Sequence, residues 1–248
     1  MNMSYHTPML KKEITVVVPT YNEEDKIQNC LQSIFNQNLE LVARVIVADN
    51  NSSDNTINLC KKYNVQIIRG GHPAVARNNG AKHASTPYLL FIDADTILPA
   101  SFIERALPIF KQHRYGVASF FIKPNPRDLF NTILFAIYNL LCFIIAKISL
   151  PTFGTAGCCI LVKKGLHESI NGFDENMMVL EEYEYIKRIK KSGKFGIIPI
   201  SVLTSTRRFQ RGNRWKQTII LFIYYSKWLF TGKVDQDKLG YWQGNDKK

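Results

Sequence analysis

Four short apolar runs divide the first hundred residues: "ITVVV" (14–18), "RVIVA" (44–48), "VQII" (65–68) and "YLLFID" (88–93). Each is rich in β-branched or bulky apolar residues, and a stretch of helical character separates it from the next. Helix-start residues precede two of those stretches, Asp25 before "KIQNCLQSIFNQ" and Ser53 or Asp54 before "NTINLCKKY". Strand and helix alternating in this way predict an α/β chain built on a parallel sheet. In such sheets a ligand lies beyond the carboxyl ends of the strands.

Those ends carry the polar residues. "PTYNEED" follows the first run, "DNNSSD" the second, "RGGHPAVARNNGA" the third and "DADT" the fourth. Any one of them has a structural reading, because strand-to-helix loops are polar and turn-rich. Asp93 and Asp95 ask for more: two carboxylates two residues apart reach the same side of a strand end. Unpaired they repel and are costly to bury, whereas a divalent cation bridging to a diphosphate would hold both.

Past residue 100, "PASFIERALPIFKQH" reads as a helix, and "GVASFFIK" and "GTAGCCILVKKG" as strands. With 248 residues, 46% of them apolar, the chain has ample core for one large domain or two small ones, and its net charge of +12 favours anionic partners. Cys30, Cys60, Cys142, Cys158 and Cys159 lack the C-x-x-C spacing of zinc or redox sites and read as core thiols of a reducing compartment. The five-residue apolar run at Ile14–Val18 is too short for a signal-peptide core, so a cytoplasmic location is expected.

Two further segments carry charge in a pattern. Glu181, Glu182 and Glu184 open a helix whose later turn holds Lys187, Arg188, Lys190 and Lys191. That order suits the helix dipole by itself; it also supplies a carboxylate that burial would tune into a general base. Arg207, Arg208, Arg211 and Arg214 crowd near Trp215, where guanidinium groups suit phosphate oxygens. A solvated loop would look similar; a nucleic-acid patch fits least, since no nucleic-acid-binding motif accompanies the run.

Taken in order, "VVVPTYNEEDKIQNCLQSI", "VIVADNNSSDNT", "ARNNGA", "FIDADT", "GFDE" with "EEYEYIKRIKKSG", and "RGNRW" resemble the family 2 glycosyltransferases over residues 13 to 220. The resemblance implies a GT-A fold: a Rossmann-like, mostly parallel central sheet flanked by helices, with apolar helices toward the C-terminus. It implies a domain over 13–231 (nucleotide-binding half 13–98, acceptor half 99–231), an extension over 1–12 and a flexible tail over 232–248. It further implies an inverting enzyme that transfers a sugar from a UDP-sugar, or alternatively a GDP-sugar, to a glycan or lipid-linked acceptor in cell-surface polysaccharide, glycolipid or glycoprotein glycan synthesis. By matching position, Pro19, Tyr21, Glu23 and Asp49 would hold the nucleoside, Arg77 and Asn78 would lie near the nucleotide, and Asp93 and Asp95 would bind Mn2+ or Mg2+. Glu182 matches the catalytic base, with Glu181 as the next candidate, and Arg211, Arg214 and Trp215 match the Q/R-x-x-R-W element. The usual Asp-Asp-Gly-Ser reads Asp49-Asn50-Asn51-Ser52 here, and a glutamate stands where the base is more often aspartate.

"LFNTILFAIYNLLCFIIAKISL" (129–150) is long enough to cross a bilayer, which takes about 20 apolar residues. A single crossing would put the aspartate pair and the glutamate helix on opposite sides of the membrane, so a spanning reading fails. It and "TIILFIYYSKWLF" (218–230) are expected to be core helices, dimer contacts or helices lying in a membrane interface. Two rivals to sugar transfer remain. A nucleotidyltransferase would want a glycine-rich basic loop where this chain has "PTYNEED"; an inactive sugar-nucleotide-binding or scaffold protein would not need its acids.

Overall fold

The computed structural model describes residues 12–147, 157–207, 214–232 and 234. Its centre is one eight-stranded sheet in the order β3-β2-β1-β4-β7-β6-β8-β5. The strands are β1 (Ile14–Thr20), β2 (Val42–Asp49), β3 (Gln66–Arg69), β4 (Tyr88–Ile92), β5 (Thr96–Ile97), β6 (Val117–Asn125), β7 (Cys159–Lys163) and β8 (Phe195–Ser205). The helices are α1 (Ile27–Phe35), α2 (Thr56–Cys60), α3 (Pro73–Lys82), α4 (Phe102–Gln112), α5 (Leu129–Lys147), α6 (Lys164–Ser169), α7 (Glu181–Ile189) and α8 (Arg214–Thr231).

The four runs read from the sequence form β1 to β4 and pair in parallel around β1 and β2. Both faces of this half are covered, which is why its strands are apolar at successive positions. Val16 and Val18 of β1 face a core with α1 and α4, while Val17 faces the opposite core with α3 and α7. Helix α3 approaches β1 so closely that a Cβ at Gly80 would stand 2.2 Å from Val17 Cγ1.

The other half is of mixed direction. β7 lies antiparallel between β4 and β6, β6 pairs in parallel with β8, and β5 pairs antiparallel with β8. β8 is the strand that the apolar alternation leaves out, because Pro199 and three polar residues interrupt its eleven positions.

Several expectations shift. Most of "RGGHPAVARNNGA", read as a rim loop, is helix α3, started by Pro73 in the first turn, where its missing N–H is harmless. Helix α1 is capped by Lys26 rather than Asp25, with the Ile27 N–H donating to the Glu23 carbonyl. Helix α2 begins at Thr56, two residues past Asp54, with Asn55 as its N-cap, and Asp54 still accepts from the Thr56 N–H at 3.0 Å. All five cysteines are free thiols. Residues 1–11 of the extension over 1–12, and all but Gly232 and Val234 of the tail over 232–248, lie outside the described residues.

Among the described residues no helix is long and apolar enough to cross a membrane. Topology says the same of α5, because β4 before it and β7 after it are hydrogen-bonded neighbours in one sheet. The expectation that this helix is a core element holds for only one of its faces. Phe135 and Cys142 are buried, while Leu129, Ile133, Ile137, Leu140 and Ile144 are exposed.

Candidate active site

The rim at the ends of β1, β2 and β4 is stitched together by side chains. Asp49 ends β2 and is buried, with Oδ2 accepting from the Ser52 N–H at 2.9 Å and Oδ1 from the Ser52 hydroxyl at 2.5 Å. The first loop is bound to the second: the Asn22 N–H donates to Ser52 Oγ, the Glu23 N–H to Thr56 Oγ1 and the Glu24 N–H to Asp54 Oδ2. Pro19 sits within β1 opposite Ala48, and Tyr21 stands at the rim 42% exposed. The Thr20 hydroxyl is buried there without a partner among the described residues, a polar atom that a bound ligand would satisfy.

Strand register assembles the acidic centre. Ile92 pairs with Cys159, and the Asp93 N–H donates to the Cys158 carbonyl at 2.9 Å, which fixes the turn leaving β4 against the start of β7. Thr96 pairs with Thr204, which brings the end of β8 beside the same turn. Arg207, two residues past β8, forms a two-armed ion pair with Glu23 and reaches within 3.9 Å of Asp95 Oδ2. From the other side Arg77 of α3 donates through Nη2 to Asp93 Oδ1 at 2.9 Å and through Nη1 to Glu181 Oε1 at 2.6 Å. One guanidinium thus joins the aspartate turn to the helix that carries the glutamates.

Electrostatics separates the two glutamates of α7. Glu181 is buried in its ion pair with Arg77. Burial pulls the Arg77 pKa down, but the carboxylates of Asp93 and Glu181 outweigh it and hold the group above its ordinary value. Glu182 is pushed up to about 8, first by desolvation and then by the Glu181 charge, with Arg77 opposing. Its carboxyl packs on Gly157, where an added Cβ would lie 2.7 Å from Glu182 Cγ and 2.8 Å from Oε1. No sequence pattern pointed to Gly157, since a glycine before two cysteines carries no periodicity.

Helix α7 starts from a strained residue. Leu180 adopts φ 64, a left-handed conformation that disfavours a branched side chain. Packing holds it there: Leu180 is buried among Met177, Val179, Ile220, Tyr224 and Trp228, so α8 clamps the turn that aims the glutamates.

Asn78 points elsewhere. It donates to the Phe173 carbonyl and to Glu175 Oε1, and accepts from the Phe173 N–H, which ties α3 to the 173–175 loop. Behind that loop His167 is buried, its Nδ1 2.8 Å from the Tyr185 hydroxyl, and burial lowers its pKa to about 4. Arg211 lies outside the described residues, as do the side chains of Arg214 and Trp215 at the start of α8.

Among the described residues no group of three or more His, Cys, Asp or Glu is placed to hold a metal by itself. Two carboxylates on one turn fit a different kind of site, in which a hard cation takes one or two protein oxygens and completes its shell from substrate phosphates and water.

Comparison with known proteins agrees with this architecture. The poly(ribitol-phosphate) beta-N-acetylglucosaminyltransferase TarP of Staphylococcus aureus is 33% identical over 128 residues, 48% of this chain and 35% of TarP. A poly(ribitol-phosphate) beta-glucosyltransferase of Bacillus spizizenii is 30% identical over 115 residues, 42% of this chain and 18% of that protein. The chain therefore spans about a third or less of these two relatives. Among solved structures, Staphylococcus aureus TarS 1-349 in complex with UDP-GlcNAc superposes with a TM-score of 0.63 at 21% identity, over 79% of this chain and 59% of that one. The mannosyltransferase PcManGT from Pyrobaculum calidifontis, in complex with GDP-Man and Mn2+, gives 0.66 at 22% identity, over 85% and 62%. These likenesses show the GT-A fold. The family described as Glycosyl transferase family 2 matches residues 15–170, and the chain belongs to it.

Proposed function

We propose that the chain transfers a sugar from a nucleotide-sugar donor to an acceptor hydroxyl with inversion at the anomeric carbon. The observation that carries this reading is the Arg77 bridge, which gathers Asp93 and Glu181 into one centre and sets Glu182 beside them. A UDP-sugar is the leading donor, by likeness to TarS, which was solved with UDP-GlcNAc; a GDP-sugar is the alternative, by likeness to PcManGT.

Each residue then has a physical task. Asp49, fixed by Ser52, and Tyr21 at the rim would hold the nucleoside, while Glu23 holds Arg207 at the edge of the diphosphate position. Asp93 and Asp95 would hold Mn2+ or Mg2+, which when bound neutralises charge on the departing diphosphate. Arg77 keeps Asp93 and Glu181 together although both are acidic. Glu182 takes the proton of the attacking hydroxyl; a buried carboxylate whose pKa is raised toward 8 is a stronger base than a solvated one. Glu181, engaged by Arg77, serves to position that helix turn.

The test is a panel of UDP-GlcNAc, UDP-glucose and GDP-mannose with Mn2+ or Mg2+, read by thermal stabilisation and by slow donor hydrolysis. One donor should raise the melting temperature and be hydrolysed, Asp95→Ala should lose the metal-dependent part, and NMR of the transferred sugar should show an inverted anomer. Stabilisation without hydrolysis or transfer would instead identify an inactive sugar-nucleotide-binding protein. No response to any donor would overturn the reading.

A further inference from the structure

Helix α5 is built inside out. Among its described side chains the exposed positions are Leu129, Phe130, Thr132, Ile133, Leu134, Ala136, Ile137, Leu140, Leu141 and Ile144, and of these Thr132 alone is polar. Its two asparagines face inward. Asn131 is fully buried, and Asn139 accepts from the Ile122 N–H at 2.9 Å and donates to the Ile122 carbonyl at 2.8 Å, which fastens the helix to β6. The exposed apolar stripe runs about 22 Å along the helix axis. Water-facing helix surfaces carry charge; a continuous apolar one marks an interaction face.

Helix α8 continues that surface. Tyr138 of α5 is hydrogen-bonded to Tyr183, whose ring lies 5.7 Å from Tyr225 and 6.0 Å from Trp228 of α8. The exposed residues of α8 include Ile219, Ile223, Lys227 and Phe230, spaced to share one face, and Phe230 is 90% exposed. Tyr183 directly follows Glu182, so the two helices meet the helix that carries the base.

Charge selects the occupant. Neither α5 nor α8 contains an acidic residue, and Lys227 is exposed on the face of α8 that carries Ile219, Ile223 and Phe230. Asp128, just ahead of α5, accepts from the Asn131 N–H. A two-fold contact with a second copy would bring this basic, acid-free patch against itself, leaving like charges without complements. An apolar stripe beside an exposed lysine and aromatic residues instead suits an anionic bilayer surface, the apolar side chains entering the acyl boundary and the ammonium meeting the headgroups. We infer that α5 and α8 form a peripheral docking face for anionic membranes and present the acid centre to acceptors held at that surface. The acceptor part rests on the proposed sugar transfer; the docking itself does not.

The full chain should co-sediment with phosphatidylglycerol-containing vesicles and not with phosphatidylcholine alone. Replacing two stripe residues together, Ile133→Gln and Ile137→Gln, should weaken vesicle binding by about tenfold or more without lowering the melting temperature, because both are exposed. Lys227→Glu should weaken it in a salt-dependent way. Absence of vesicle binding would overturn the inference, as would binding that survives the double substitution. So would a dimer in light scattering that the same substitutions dissociate, which would assign the face to a second copy. No sugar donor enters these measurements, so their failure leaves the transfer reading standing.

Discussion

Arg77 Nη1 lies 2.6 Å from Glu181 Oε1, and both side chains are only 4% exposed. A buried ion pair adds little net stability when intact, yet removing one partner leaves an uncompensated buried charge. Arg77→Met is therefore expected to lower stability by about 3–5 kcal/mol and to abolish transfer. Arg77→Lys should recover part of the stability and little of the activity, because one ammonium does not reproduce a two-armed bridge to Asp93 and Glu181. Chemical denaturation alongside turnover separates the two effects.

The raised pKa of Glu182 sets the pH dependence. Its deprotonated form is the base, so kcat/KM should climb as pH rises through an apparent value near 8. Glu182→Gln should cost about 100-fold or more in kcat and remove the ascending limb. The corresponding Glu181 substitution should disturb stability through Arg77 and, by removing a charge that raises the Glu182 pKa, move that limb to lower pH without abolishing it. A pH profile of each variant decides between the two glutamates.

Gly157 makes room for that base. In Gly157→Ala the new Cβ would meet Glu182 at 2.7–2.8 Å, and the glutamate, being the flexible partner, would move. Expected is a fall of about tenfold or more in kcat, since small misplacements of a reacting group are costly, with little change in melting temperature. Gly165→Ala is the control: nothing lies within 4 Å of its added Cβ, and inside α6 the change should stabilise by up to about 1 kcal/mol.

Buried His167 predicts an acid-sensitive fold. Its folded pKa of about 4 lies below the ordinary 6.5, so the unfolded chain takes up the proton first as pH falls. The contribution of the neutral imidazole is present above pH 6.5 and is lost progressively toward about 4. The loss approaches about 3 kcal/mol at the lower end. Urea melts between pH 7.5 and 4.5 should show this decline, and His167→Gln should flatten it.

What was legible in the sequence is the part whose pattern is local. β1, β2 and β4 are largely buried on both faces and so read as near-continuous apolar runs, whereas the edge strand β3 is only partly buried; the polar residues at their ends follow from where such strands stop. Asp93 and Asp95 stood out because unpaired acids beside an apolar strand are costly, and Glu181 and Glu182 because they open a helix whose charges run from acidic to basic. β8 was not legible, since Pro199, Ser201, Thr204 and Ser205 break its apolar run and hide its pairing with β6.

The sequence alone determined that these acids end strands or open helices. Only the tertiary structure decided which of them meet, that Arg77 joins Asp93 to Glu181, and that Arg207 rather than solvent faces Glu23. It also decided that the apolar face of α5 points outward while its asparagines point in. The physical reason is that periodicity records how many sides of a segment are apolar. Strand order and register decide what each side meets, and those belong to the whole sheet rather than to any one run.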